Sequence, residues 1–279
     1  MVAGFGALLW GSGAAMAGTG DHPGFGTMLY VSGITLFTIG FGDVTPRDAL
    51  GRFLSVAEGA TGFTFLAIII SYLPTIFSVF AQRETEITLL DARAGSPPSA
   101  IELLSRLGLG EERGLDELLR EWERWSAEVL ESHLSYPVLS FFRSQHENQS
   151  WLAALTLVLD ACSLVIVGIG GPTNLFRSHQ ARLTFAMARH AVGDLSQILR
   201  ADPEALRPDR LPPADLAQLR ARLDDAGMPL RGGSDADQQL TALRNLYQPY
   251  VCAMSRESML ALPSWIPDEN HPDDWETTA

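Results

Sequence analysis

Residues 35–46 read Thr-Leu-Phe-Thr-Ile-Gly-Phe-Gly-Asp-Val-Thr-Pro. Two glycines, Gly40 and Gly42, alternate with the bulky apolar residues Ile39 and Phe41, and Asp43 and Pro46 close the string. Upstream, Phe25 to Phe37 is a short amphipathic stretch, below the about 20 residues that a membrane-spanning helix needs. Downstream, Gly51 to Phe80 is apolar apart from Arg52 and Glu58, and Arg83, Glu84 and Glu86 end the run. As a helix that run reaches roughly 45 Å, enough to cross a bilayer with some tilt. Pro74 lies in its final third, where a kink is expected. A half-length helix that enters a membrane and turns back is tolerable only if irregular backbone follows it inside a protein-lined cavity. The quoted string is that backbone.

Thr38-Ile39-Gly40-Phe41-Gly42-Asp43 resembles the selectivity filter of the potassium-channel family, with Ile for Val and Phe for Tyr. The chemistry accounts for the residue types. A dehydrated potassium ion needs a cage of oxygens, which four chains supply as successive backbone carbonyls around one axis. Aiming consecutive carbonyls the same way requires alternating left-handed backbone, which glycine enters at least cost. The resemblance thus implies K⁺ as permeant ion, held by the carbonyls of Thr38, Ile39, Gly40 and Phe41, with Gly42 completing the filter and the Thr38 hydroxyl at the inner mouth. Ile39 and Phe41 would wedge it against its surroundings. One copy per chain implies a homotetramer. The likeness covers about residues 5–85: Asp43-x-x-Pro46 is followed by Gly51-Arg52, as at the start of the family's inner helices, and Gly62 falls where the family often places a hinge. Leu66, Ile70 and Pro74 follow at four-residue steps and would line the cavity and gate.

The same resemblance assigns supporting roles. Asp43 is usually held behind the filter by pore-helix side chains. Its frequent carboxylate partner position is Ile34 here, so that pairing is absent, and Tyr30 is a substitute donor. Glu58, four residues before Gly62, is the only acid within the inner helix. A carboxylate at that depth is costly and a functional candidate by default. It could be protonated or accept hydrogen bonds from Thr35 or Ser32, with a structural role favoured over gating or pH sensing. Arg52 reads as an interfacial anchor.

Met1 to Ala17 is uncharged, apolar and rich in small residues, without the positive n-region of a signal peptide. It is short for a span and reads as the remnant of an outer helix, so the pore module is expected to be N-terminally truncated. The chain's 279 residues carry twenty basic and thirty-three acidic side chains, net −13. All twenty bases are arginine, which reads as a compositional habit. Residues 1–82 hold only −2 of that charge, leaving −11 for the other 197. That acidic balance, with no basic block, argues against nucleic acid as a partner. Cys162 and Cys252 stand alone, implying neither a disulfide framework nor a zinc site.

Beyond Gln82 the pattern is helical and charged. Ser99-x-x-Glu102 forms a capping box. Leu115–Leu134 is amphipathic, and 182–200, 213–225 and 235–259 add further helices. Trp151–Ile169 is apolar with one acid, Asp160; a helix buried in a bundle is favoured, with an additional membrane span as the alternative. Gly168, Gly170 and Gly171 lack the third glycine of a dinucleotide-binding loop, and Pro172 interrupts, so a helix C-terminus is the better reading. His133 and His146 read as solvated. Pro267–Ala279 carries five acids and no arginine, a solubilising end.

The fold class expected is all-α: a pore module at 1–82 (outer-helix remnant, re-entrant pore helix with filter, inner helix), a linker at 83–98, a cytoplasmic helical domain at 99–262 and an acidic disordered tail at 263–279. The function expected is a passive, potassium-selective channel subunit, not an enzyme, with no cofactor. It would be multi-pass in the cell membrane, with the lipid bilayer and its own copies as partners. Voltage gating is not expected, since no arginine-rich sensor helix is present. The competing reading is a membrane-anchored regulatory or interaction protein whose truncated pore module does not conduct.

Overall fold

The computed structural model describes residues 1–20, 23–107, 112–146, 148–169, 175–204 and 209–266. The chain divides into two compact units, Met1–Phe77 and Ser78–Ala279. Helices dominate. In the first unit α1 (Val2–Gly11) packs against α2 (Phe25–Leu36), and α3 starts at Ala49. Close approach of α1 to α2 depends on Gly6, where an added Cβ would stand 3.2 Å from the Leu29 Cα. Leu9, Ala14, Met16, Met28 and Val31 form a small core, with Val44 and Leu54 packed against it.

One element was not anticipated. Met16–Ala17 (β1) pairs antiparallel with Thr45–Pro46 (β2), in register Met16 with Pro46 and Ala17 with Thr45. Two residues a side are too few to show alternation in the sequence. The Arg47 N–H extends the pairing to the Ala15 carbonyl at 2.8 Å.

The helix α3 (Ala49–Ala94) is 46 residues long and continues through Pro74. It also continues well past Gln82, so residues 83–94 of the expected linker are helical. The reason is periodic: Ile87, Leu90 and Ala94 recur at helical spacing and are buried in the core of the second unit. Only Gly95 to Ser99 breaks the chain before α4 (Ala100–Leu107), where the Ser99 hydroxyl accepts from the Glu102 N–H at 3.2 Å, as the capping box predicts.

The second unit is a helical assembly: α5 (Glu112–Ser135), a 3-10 turn (Pro137–Phe141), α6 (Trp151–Val167), α7 (Leu175–Ile198), α8 (Pro213–Asp225), α9 (Ser234–Asn245) and α10 (Gln248–Ser258). Every residue of α6 is buried. It is the central helix of this unit, packed by α4, α7, α9 and α10, as the bundle reading of that stretch requires. The Ser150 hydroxyl caps its start, accepting from the Ala153 N–H at 3.0 Å, and Gly168 (φ +118°) ends it. Gly170 to Asn174 lies outside the described residues. The single helix expected over 235–259 is two, because Pro249 has no N–H to continue α9 and sits instead in the first turn of α10.

Asp160, the one acid of α6, is 1% exposed and ion-paired. Arg210 donates to both its oxygens, at 3.2 and 2.7 Å, and the Tyr247 hydroxyl donates to Oδ1. Arg210 also donates to the Pro263 carbonyl at 2.8 Å, and Trp265, 2% exposed, lies under the guanidinium groups of Arg210 and Arg244. Residues 263–266, assigned to the tail by composition, are therefore held on the core; 267–279 lies outside the described residues.

His133 is a further correction. It is wholly buried, its ring 5.1 Å from that of Trp151. The sequence reading took it as solvated because of its charged neighbours, but it falls on the inner face of α5. Its Nδ1 lies 2.7 Å from the Val129 carbonyl, to which it donates, leaving Nε2 to accept from Arg83 Nη1 at 3.3 Å. Burial first, and the Arg83 cation second, push this imidazole down to about 4.

Candidate pore site

The site is built on the end of α2, the loop after it and the first turns of α3. The C-terminus of α2 folds directly into the glycine string. The N–H groups of Ile39 and Gly40 both donate to the Ile34 carbonyl, at 2.8 and 3.1 Å, and the Thr38 N–H donates to the Thr35 carbonyl at 3.0 Å. Thr38, Gly40 and Gly42 have φ of +56°, +56° and +76°. Left-handed backbone thus recurs at every second residue, the alternation that a row of co-directed carbonyls requires. Thr38 adopts it despite its β-branched side chain, a conformation worth roughly 1–3 kcal/mol of strain. Ile39 and Phe41 are exposed in the single chain.

Behind this loop, the Tyr30 hydroxyl donates to Asp43 Oδ2 at 2.8 Å, bringing together the two residues that the sequence paired. The backbone after Gly42 is anchored independently. An added Cβ on Gly18 would lie 1.9 Å from the Asp43 carbonyl oxygen, so only glycine allows the β1 end to approach there, and φ is +84°.

Glu58 is wholly buried between α3 and α2, hydrogen-bonded to the Ser32 hydroxyl. The same hydroxyl lies 2.8 Å from the Val2 carbonyl, so Ser32 links all three helices of this unit. Of the two candidate partners for Glu58, Ser32 is the one in contact. Thr35 instead faces Gly59, its Cγ2 being 3.9 Å from where a Cβ there would stand.

Gly62 meets the backbone of α2 just before the glycine string: a Cβ on it would be 2.0 Å from the Leu36 carbonyl oxygen. The helix is unbroken at this glycine, so in this conformation Gly62 serves the crossing of two helices. Leu66, Ile70 and Pro74 follow along α3 and are all exposed, as is most of the helix around them.

Asp48 was missed. Its Oδ1 accepts from the Ala15 N–H at 3.0 Å and its Oδ2 from the Gly51 N–H at 2.9 Å, so one carboxylate caps α3 and ties down the segment before β1. The signal was available: an aspartate three residues before Gly51, opening a long apolar run, is an N-cap pattern.

The long apolar stretches of α3 and α6 differ in what covers them. Among the described residues α3 alone is long and apolar enough to cross a membrane, with a mean hydropathy of 2.0 over its most apolar 18 residues, and only 6% of that window is buried within the chain. Apolar surface on α6 is satisfied by protein; on α3 it is not. Residues 5–79 match the protein-family model described as "Ion channel". That match supports an ion-channel module in this part of the chain. Among curated proteins, the chain is 22% identical over 142 residues to an uncharacterized membrane protein, YdjJ, of Bacillus subtilis strain 168, covering 50% of this chain and 41% of that protein. It is 44% identical over 43 residues to Protein LctB of Bacillus caldotenax and of Geobacillus stearothermophilus, covering 15% of this chain and 31% of each. The chain thus spans less than half the length of these relatives. No solved structure matches.

Proposed function

We propose that this chain is a subunit of a potassium-selective channel, in which four copies surround one pore and the carbonyls of Thr38, Ile39, Gly40 and Phe41 replace the ion's water. The observation that carries this reading is the left-handed backbone at Thr38, Gly40 and Gly42, set between a half-length helix and a bare apolar one. Gly42 completes the filter, and Tyr30 and Asp43 brace it from behind. Thr35, Ser32 and Glu58 hold α2 to α3 at the level of the filter. Leu66, Ile70 and Pro74 face the conducting axis, and Gly62 permits any movement of α3 relative to α2. The helical domain lies on the cytoplasmic side and acts on gating through α3. Conduction is passive, with no bond made or broken and no cofactor.

The test is potassium flux from liposomes containing the full chain, with sodium as competitor. Selective potassium flux is expected, abolished or made unselective by Gly40→Ala, since an alanine Cβ opposes the φ of +56° there. Unchanged selectivity in that variant overturns the filter assignment. A well-folded chain that never conducts favours a membrane-anchored regulatory protein instead.

A further inference from the structure

The second unit carries an apolar turn that its own fold leaves bare. Phe141 is 76% exposed, Leu134 47% and Val138 41%, and all three lie at the end of α5 and on the 3-10 turn after it. Between them Leu139 and Ser140 are buried, so the turn is fixed to the domain while Leu134, Val138 and Phe141 stay exposed.

Its position along α3 is fixed too. Arg83 donates to the Leu139 carbonyl at 3.1 Å and to the Phe142 carbonyl at 2.9 Å, so the turn's orphan carbonyls end on a residue of α3. The rings of Phe80 and Phe142 lie 5.6 Å apart. Arg83 is itself 4% exposed, which makes this a buried clamp rather than a surface contact. Phe80 is the last residue of the apolar run of α3. From Gly51 to Phe80 the helix rises roughly 45 Å, the thickness of a bilayer with its headgroup layers. The turn is therefore clamped to α3 where its apolar run ends.

We propose that the turn Leu134–Phe141 is a membrane-docking element, with Val138 and Phe141 inserted among lipid headgroups beside the exit of α3. The occupant is lipid because the turn is held, through the Phe142–Phe80 ring contact, on the last residue of the apolar run of α3. Apolar insertion and not charge attraction drives it: Glu84 pairs with Arg83, Glu128 lies against Gln82, and residues 83–279 are strongly acidic. The proposal rests on α3 crossing a membrane, and it adds a second, peripheral hold of the helical domain on the same bilayer.

The experiment uses the full chain in lipid nanodiscs, with Phe141→Cys labelled by a fluorophore; Cys162 and Cys252 are buried, and unsubstituted protein sets the background. Quenching by lipids that carry a nitroxide near the headgroup, with protection from aqueous iodide, is expected. Quenching by iodide and not by lipid overturns the proposal. Protection from both quenchers also overturns it, and points to a second copy of the chain over the turn. Val138→Cys repeats the measurement should the first variant misfold. Alkaline extraction of membranes holding the full chain separates the two readings: release of the protein removes the membrane reading of α3 itself, whereas retention with an iodide-accessible Phe141 position removes only the docking element.

Discussion

The carbonyl oxygen of Leu36 lies 2.0 Å from the position a Cβ would occupy on Gly62. Contact so close joins the last turn of α2 to the long apolar helix α3 at one level, directly before the left-handed backbone begins at Thr38. Backbone faces backbone, so neither side can yield by changing a rotamer.

Gly62→Ala is therefore predicted to push α2 and α3 apart, at a cost of about 1–3 kcal/mol from overpacking. Thermal unfolding of the full chain should show a lowered Tm, and liposome flux should fall with it. Gly59→Ala is the control one turn away, where the nearest atom, Thr35 Cγ2, would be 3.9 Å off. Equal effects of the two substitutions would remove the close crossing as the cause.

Tyr30→Phe deletes the donor to Asp43 and leaves the ring in place. Potassium flux is predicted to decline during sustained activity, or to lose selectivity over sodium, while Tm changes little. Asp43→Asn keeps an acceptor oxygen for Tyr30 and should be milder. Flux traces identical to the unsubstituted chain in both variants would show that this hydrogen bond does not brace the filter.

His133 provides a pH dependence with a definite sign. Its folded-state value of about 4 lies below the ordinary 6.5, so the unfolded chain binds more protons between these limits. Stability contributed by the neutral ring is full above about pH 6.5 and is lost as pH falls toward 4, roughly 3 kcal/mol in all. His133→Gln retains an acceptor for Arg83 without titrating there. Denaturation midpoints of the full chain between pH 4 and 7 should fall less steeply in the variant; parallel curves would refute the assignment.

Breaking the buried pair from one side leaves a charge without a counterpart. Asp160→Leu or Arg210→Leu alone is predicted to cost about 3–5 kcal/mol, and the double substitution much less than their sum. Additive losses in chemical denaturation would mean that the two residues act independently.

The short helix α2, the left-handed loop after it and the long apolar helix α3 were legible because their signals are local: glycines at alternate positions, a half-length apolar run before them and a full-length one after. The hydroxyl cap at Ser99 and the stop at Gly168 were legible for the same reason. The ends of α3 were not. Arg83, Glu84 and Glu86 terminate an apolar run, and nothing nearby states that Ile87, Leu90 and Ala94 will be covered by other helices and keep the helix going. His133 likewise sits among charged neighbours, and its burial is set by Trp151 and Arg83, 18 and 50 residues away in sequence.

Sequence alone determined the alternation of glycines at 40 and 42, the helical class of the remainder, and the separation of a nearly neutral segment from an acidic one. Each of these follows from backbone preference or from the company a residue keeps within a few positions. Tertiary structure decided which apolar helix is bare and which is buried, that Gly62 is needed at a helix crossing, that Ser32 is the partner of Glu58, and that Asp160 is neutralised by Arg210. Those are matters of what lies across a gap in space, and hydropathy along a chain takes the same value for α3 and α6 whether protein or lipid fills it.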